Sequence, residues 1–390
     1  MNARYVAYLL LTSSLSLSLN TVSATEIPTD QAQKNKPATI KVLINSQEDT
    51  VLLETRGRYE MYNPLNDILL TQGSAKRQWV TPSKNGLIWG ELVPGNFQIR
   101  LVPKDTKSTL LVNGIEYRGC VEIHDIRGKL FVVNEVDIER YLKSIMTSQF
   151  PSEMDEEVMD AIAVTARTNA YYLIARNPVT QWHVDGKEVG YQGHAVTLQN
   201  LHVDRAIDNT RHMVLTYQGV PFPATWTKDS AGKTADFSTV YRKNVTSPQG
   251  VEAPFAAYER DKHTWGFSIS KKDLAKALGA VRINEIELYQ DQHSKKVYGA
   301  RVKDENQSVQ VDFTKLQTAL SPTKLKSNDF AVEIHGDQVQ FKGFGEGTGV
   351  GLCLFSACAM ADKGEKAPKI LETFFPETKL ERKRILEDKK

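Results

Sequence analysis

The residues with a pattern able to do chemistry are few. The densest is GFGEGTGVG at 343–351, with glycine at every second position and a single carboxylate, Glu346, at its centre. Glycine-rich loops can cradle phosphate on backbone N–H groups, but this one has no Lys-Ser/Thr pair, so a phosphate loop is a weak reading. Glycine at this density implies close backbone approach, to a ligand or to a central helix, where a Cβ would not fit. A second concentration is acidic: Glu153, Asp155, Glu156 and Glu157 crowd the start of a helical pattern, where the helix dipole favours negative charge. The eight histidines are scattered without H-E-x-x-H or comparable spacing, so His124, His183, His194 and His263 do not read as zinc ligands. Of the three cysteines, Cys353 and Cys358 stand five apart, which puts them on different faces of a helix and forbids a bridge. With Cys120 they read as small buried hydrophobes. No metal and no cofactor is expected.

The elements that must position these groups are legible in the pattern. From 40 to about 113 come short β-branched or aromatic segments, IKVLI, TVLLET, RYEMY, DILLTQ, LIWGEL, FQIRLVP and STLLVN, separated by Asn, Gly, Pro or Lys. YRGCVEI at 117–123 and KLFVVNEV at 129–136 read as further strands. DIERYLKSIM at 137–146 turns helical, and a turn containing Gln149, Phe150 and Pro151 follows. Ser152 is expected as the next N-cap, with Asp155 at capping-box spacing. The segment 158–175 is apolar nearly all round, which predicts a helix buried at the centre of a domain. Ala161, Ala163, Ala166 and Ala170 would let neighbours approach it closely. Residues 180–350 return to mixed strands and loops, and LCLFSACAMADKG after the glycine loop reads as a second buried helix ending at Gly364. The fold class is α+β, with mixed strands around a buried central helix and a smaller N-terminal β region.

Composition narrows the function. The 390 residues are 41% hydrophobic and 25% charged, which excludes a polytopic membrane protein, a collagen and a wholly disordered chain. Lys+Arg 49 against Asp+Glu 47 leaves +2, so no basic field argues for a nucleic-acid partner. Arg4, an apolar run at 5–11, Leu/Ser alternation to Asn20 and small Val22-Ser23-Ala24 read as a secretory signal peptide cut after Ala24. The apolar run is too short and too interrupted by serine to span a bilayer. The expected organisation is signal peptide 1–24, polar linker 25–37, N-terminal β region 38–113, main domain 114–377 and a charged tail 378–390, solvated or disordered. Export places the protein in the periplasm or cell envelope.

A series of segments then occurs in one order: YRGCVEI, VNEVDIERYLKSI, AIAVTARTNAY, GYQGH at 190–194, MVLTYQGVPFPATW, DSAGKT at 229–234, LKSNDF at 325–330 and GFGEGTGVGLCLFSACAMADKG. From about Tyr117 to Pro376 this series resembles the SpoIID/LytB family of peptidoglycan lytic transglycosylases and amidase enhancers. The resemblance implies a SpoIID-type domain and a site built from Ser148, Arg167, Tyr191, Gln192, Thr227, Ser230, Gly232, Gly345, Gly347, Thr348 and Gly349 as substrate-binding positions. It also implies one catalytic carboxylic acid. That acid protonates the oxygen of the MurNAc–GlcNAc bond, and its carboxylate then helps the muramic 6-hydroxyl attack its own anomeric carbon, giving a 1,6-anhydro end.

The departures from the family are specific. Its catalytic Glu lies eighteen residues before the ARTYA arginine, and counting back from Arg167 lands on Gln149, in Ser148-Gln149-Phe150-Pro151. Ser152-Glu153-Met154 spells the same motif four residues too late. The two family histidines align with Thr227 and Thr348 and its glutamine with Leu354, which also removes the metal the family sometimes uses. Losing a general acid typically removes about 10²–10⁴ of rate. A Gln amide can hydrogen-bond the glycosidic oxygen but has no proton to give. Two carboxylates are placed to compensate: Glu153, expected one turn further along the helix and roughly 6 Å away, and Glu346 in the glycine loop. Trp182, Tyr191, Trp226, Trp265 and Phe344 are either sugar-stacking surfaces or core. The reading is therefore an exported cell-wall protein that holds peptidoglycan glycan strands with transglycosylase activity weakened or absent. The alternatives are a working lytic transglycosylase using Glu153 or Glu346, and a scaffold that recruits an amidase or division and cell-wall proteins.

Overall fold

The computed structural model describes residues 38–194, 200–304 and 307–383. The expected signal peptide and linker lie outside the described residues. The first half is organised by strands β1 (Thr39–Glu48), β2 (Val51–Asn63), β3 (Ile68–Ser83), β4 (Gly86–Trp89), β5 (Glu91–Pro94), β6 (Gln98–Pro103), β7 (Thr109–Val112), β8 (Ile115–Tyr117), β9 (Cys120–Ile126) and β10 (Lys129–Asp137). With a short β11 (Val184–Asp185) they form an eleven-stranded sheet in the order β11-β1-β10-β9-β6-β2-β3-β4-β5, while β7 pairs with β2 and β8. Burial alternates with period two, as a half-buried sheet requires: Ile40 and Val42, Ile99 and Leu101, Val121 and Ile123, Leu130 and Val132 all point inward. Trp89 fills the centre of that core, edge-on to Tyr59 at 5.3 Å. The boundary expected at 113/114 falls in the turn of the β7–β8 hairpin. Because β1 pairs with β10 and β6 with β9, strands from both sides of it share one sheet.

Helix α1 (Ile138–Gln149) grows directly from β10, capped by Asp137, whose carboxylate accepts the Glu139 and Arg140 N–H groups. Helix α2 (Glu156–Arg176) is the buried central helix: Val158, Ala161, Ile162, Ala163, Val164 and Ala170 are all in the core. Its N-cap is Asp155, not Ser152, and the Asp155 carboxylate accepts the Glu157 N–H at 2.9 Å. Both residue types cap well, and Asp155 stands immediately before the first turn that buries apolar residues. Residues 151–155 are therefore a non-helical connection, and Glu153 is not on a helix.

The remainder encloses α2. After α3 (Gly186–Val189) and α4 (Leu201–Asn209) come β12 (Met213–Tyr217), β13 (Trp226–Thr227), α5 (Phe237–Tyr241) and α6 (Pro254–Tyr258). Next are β14 (Thr264–Ser270), α7 (Lys271–Leu278), β15 (Glu285–Gln290), β16 (Val297–Lys303), β17 (Ser308–Asp312) and α8 (Phe313–Leu320). Last are β18 (Phe330–His335), β19 (Gln338–Phe344), β20 (Leu352–Cys353), α9 (Leu354–Ala361), α10 (Ala367–Phe374) and β21 (Thr378–Arg382). Two three-stranded sheets, β14-β19-β18 and β15-β16-β17, share a core around Phe313, Phe330 and Phe341. The charged tail is corrected in part: β21 pairs antiparallel with β12, setting Leu380 beside Leu215. Its alternating charges have the period of a strand, with Leu380 partly buried against the core. Residues 384–390 lie outside the description. No helix among the described residues is long and apolar enough to cross a membrane.

Candidate functional site

Three distant segments are stitched into one wall. Asp229 and Glu346 exchange both backbone hydrogen bonds, at 2.9 and 3.0 Å, and the Gly345 N–H donates to the His263 carbonyl at 2.8 Å. The glycines make this contact possible. A Cβ on Gly345 (φ +69°) would lie 2.5 Å from the Asp229 carbonyl oxygen, and one on Gly347 (φ +107°) would strike the Thr227 hydroxyl. The close approach is thus to the protein's own 225–231 segment and not to α2. Thr227 staples the loop from beneath: its buried hydroxyl donates to the Glu346 carbonyl and accepts the Gly349 N–H, both at 3.1 Å.

Against this wall stand the C-terminal end of α1 and the first turns of α9, and together they enclose a cleft of about 670 Å³. Gln149, Phe150, Lys228, Asp229, His263, Trp265, Lys326, Glu346, Phe355 and Cys358 line it. Gln149 is the last residue of α1 and is exposed; its amide donates one hydrogen to the Val189 carbonyl at 3.0 Å. That leaves the amide oxygen and a second N–H. Glu346 is 48% exposed and ion-paired to Lys228 at 2.8 Å. The His263 Nδ1 sits 2.6 Å from the Asp229 carboxylate, and the ring meets Phe355 edge-on with centroids 4.7 Å apart. No local pattern marks this pair. Asp229 sits within DSAGKT and His263 among scattered histidines, and only the fold brings residues 34 apart into contact.

Several expected site residues do not line this cleft. Arg167 is fully buried; its guanidinium donates to Glu139 at 2.7 and 2.9 Å and to the carbonyls of Met213 and Ile207, so it is a core ion pair that reaches no cleft. The Ser148 hydroxyl donates to the Gly190 carbonyl at 2.7 Å, fixing the turn that precedes Tyr191. Tyr191 donates to Asn134 at 2.5 Å and packs on Tyr141, and burial pushes its hydroxyl pKa well up. It lines a separate cleft of about 730 Å³ beside Arg118 and Lys143. Gln192 is exposed, its backbone N–H donating to the Ser144 hydroxyl. Thr348 accepts from the Tyr241 hydroxyl at 3.2 Å, and Gly232 packs on the Ala257 backbone. Ser230 is buried, and its carbonyl accepts from Lys296 at 2.6 Å. Gly349 rests on the same lysine side chain. Glu153 is 73% exposed, ion-paired with His202, and off the cleft. Among the aromatics, Trp265 lines the cleft. Trp226 packs on Phe150, Trp182 stacks on Phe131 and Phe344 lies under Arg260.

Behind the wall lies a buried ion network. Lys296 is 1% exposed and donates to Asp329 at 2.7 Å, and Arg260 holds the same carboxylate at 2.8 and 2.9 Å. Burial pulls the Lys296 ammonium pKa down, and Asp329 opposes that pull. Among the described residues no group of three or more His, Cys, Asp or Glu side chains is arranged to hold a metal ion.

The segment that carries the central helix and the helix before it is the part that a known family matches. Residues 126–217 match the SpoIID family, described as Stage II sporulation protein. The match covers α1 and α2, and with them Gln149 and Arg167, and stops before Asp229, His263 and Glu346. An uncharacterized protein of Chlamydia pneumoniae is 38% identical over 178 residues, 45% of this chain and 65% of that protein. One of Chlamydia muridarum is 36% identical over 190 residues, 48% of this chain and 66% of that protein. The chain therefore spans just under two thirds of the length of these chlamydial relatives. An uncharacterized protein of Brachyspira hyodysenteriae is 26% identical over 341 residues, 86% of this chain and 91% of that protein.

Proposed function

We propose that this is an exported cell-envelope protein that holds peptidoglycan glycan strands in the Gln149 cleft, with transglycosylase cleavage weakened. One observation carries the reading: the residue aligned with the family acid lines the cleft and is an amide. The cleft volume of about 670 Å³ lies within the range of small-ligand sites. Its lining suits a sugar chain. Gln149 offers hydrogen bonds to hydroxyl and acetamido groups, Phe355 offers an apolar face, and Lys228 and Lys326 offer charge to lactyl or stem-peptide carboxylates. Neither compensating carboxylate is well placed as an acid. Glu153 is off the cleft, and Glu346 is occupied by the Lys228 ammonium.

The test is a digest of purified glycan strands, peptide-bearing and stripped, with sedimentation for binding and mass spectrometry for 1,6-anhydro-muramic ends. The wild-type protein is expected to bind strands and release little product. Gln149→Glu is expected to raise product by about 10²-fold or more, the usual worth of a general acid. A wild-type protein that binds no strand, or binds only an amidase or another envelope protein, refutes the reading.

A further inference from the structure

The cleft holds one proton-transfer group that neither Gln149 nor the glycine loop supplies. His263 Nδ1 is 2.6 Å from one Asp229 oxygen, and the other Asp229 oxygen accepts the Ala231 N–H at 2.8 Å. The Asp229 side chain is 8% exposed and that of His263 35%, so a buried carboxylate orients a ring that still reaches the cleft. A carboxylate on Nδ1–H fixes the tautomer and leaves Nε2 as the exchanging nitrogen. Nε2 makes no hydrogen bond among the described residues, and Phe355 backs the ring edge-on. The backbones of both residues are pinned by the glycine loop, through Glu346 and Gly345. The pair is therefore held rigid in the free protein.

The other reactive groups in the cleft are otherwise engaged. Cys358 makes no hydrogen bond to His263, and burial pushes its thiol pKa up, so it is not an imidazole-activated thiolate. Glu346 is committed to Lys228. A charged Lys326 completes the cleft's ionisable lining, and Arg260 is turned away to Asp329.

We infer that His263, positioned by Asp229, is the proton-transfer group of this cleft and carries its residual glycan cleavage. The inference rests on the glycan-strand reading above. In the step, the imidazolium Nε2–H passes its proton to the glycosidic oxygen as the bond from that oxygen to the muramyl anomeric carbon breaks. The muramyl 6-hydroxyl oxygen forms the replacing bond to the same carbon, and its proton returns to Nε2. One C–O bond breaks and one forms, no water enters, and the imidazolium is regenerated. Asp229 remains a carboxylate throughout and stabilises the cationic ring.

The experiment measures binding and single-turnover product on short soluble glycan strands with the full chain. The wild-type protein is expected to form anhydro ends slowly. His263→Ala should lower product at least about 10²-fold while strand binding stays within about twofold, and free imidazole should restore part of the product. His263→Asn, whose amide nitrogen takes the place of Nδ1 and still donates to Asp229, should bind as the wild type does and lose product as His263→Ala does, which separates lost chemistry from lost folding. Asp229→Asn should lower the single-turnover rate with strand binding unchanged and gain nothing from imidazole. Strand binding with no product from the wild type, or product unaffected by His263→Ala, overturns the assignment and leaves the binding reading standing. No strand binding by the wild type removes both.

Discussion

Replacing Arg167 with methionine should unfold the protein more readily without touching the cleft. The Arg167 guanidinium makes two short bonds to Glu139, at 2.7 and 2.9 Å, and serves the Met213 and Ile207 carbonyls besides. Methionine fills much of the same volume but leaves the Glu139 carboxylate, itself buried, without a cation partner among the described residues; His212 lies 3.4 Å away, and burial pushes its ring toward the neutral form. Removing one partner of a buried pair typically costs about 3–5 kcal/mol, because the other charge is stranded. Urea unfolding at neutral pH, followed by fluorescence, reads the loss as a lower midpoint. The double variant Arg167→Met/Glu139→Gln should recover more than half of it, since no charge is then stranded. Glycan binding extrapolated to the folded fraction should be unchanged. A stability loss under about 1 kcal/mol, or a loss of binding at unchanged stability, would refute the structural role and return Arg167 to the substrate-binding positions.

Glu122 should give the fold an acid-sensitive component. Burial raises its carboxyl, but the His124 hydrogen bond and the Lys41 and Arg100 charges outweigh that and hold the pKa down to about 2. The contribution is complete above the unfolded value and is lost as pH falls from about 4.5 through about 2, on the order of 3 kcal/mol; Glu122→Gln should flatten that part of a stability-against-pH curve. Asp160 has the opposite sign: burial, with Glu157 and Glu156 nearby, pushes it up to about 7. Its ionisation therefore opposes folding increasingly as pH rises from the unfolded value through 7, and Asp160→Asn should raise the melting temperature at pH 8 and leave it unchanged at pH 3. Gly347→Ala, at φ +107° against the Thr227 hydroxyl, should cost about 1–3 kcal/mol of stability and loosen the Glu346–Lys228 side of the cleft, read by thermal melting and strand binding.

Some of this was readable from residues alone, for reasons that particular positions make plain. The central helix declared itself because α2 is apolar on every face, and a helix of that kind can only be buried. The N-terminal strands declared themselves through short β-branched and aromatic runs set between Asn, Gly, Pro and Lys. The start of α2 did not, because Ser152 and Asp155 are equally good caps and only the packing of Val158 and Met159 chooses between them. The register that placed Gln149 on the cleft wall needed only a count along one stretch of chain. The partnership of Asp229 with His263, and of Lys228 with Glu346, spans segments joined by backbone bonds across the glycine loop, and no local pattern encodes that. Arg167 shows the reverse error: a motif position carries no label for whether its side chain faces a ligand or the core.

The strand pairs that finish the molecule are between residues remote in sequence: Leu215 with Leu380, Trp226 with Leu352, Asp229 with Glu346. Closing such loops is slow, because chain entropy must be lost before the contact repays it. The cleft therefore needs these long-range pairs closed before its wall is complete. A nascent chain, a proteolytic fragment, or an excised 126–217 segment would carry Gln149 yet lack the rest of the wall. Such an incomplete copy would carry one side of the cleft without the residues of the 226–231 and 343–358 segments that face it.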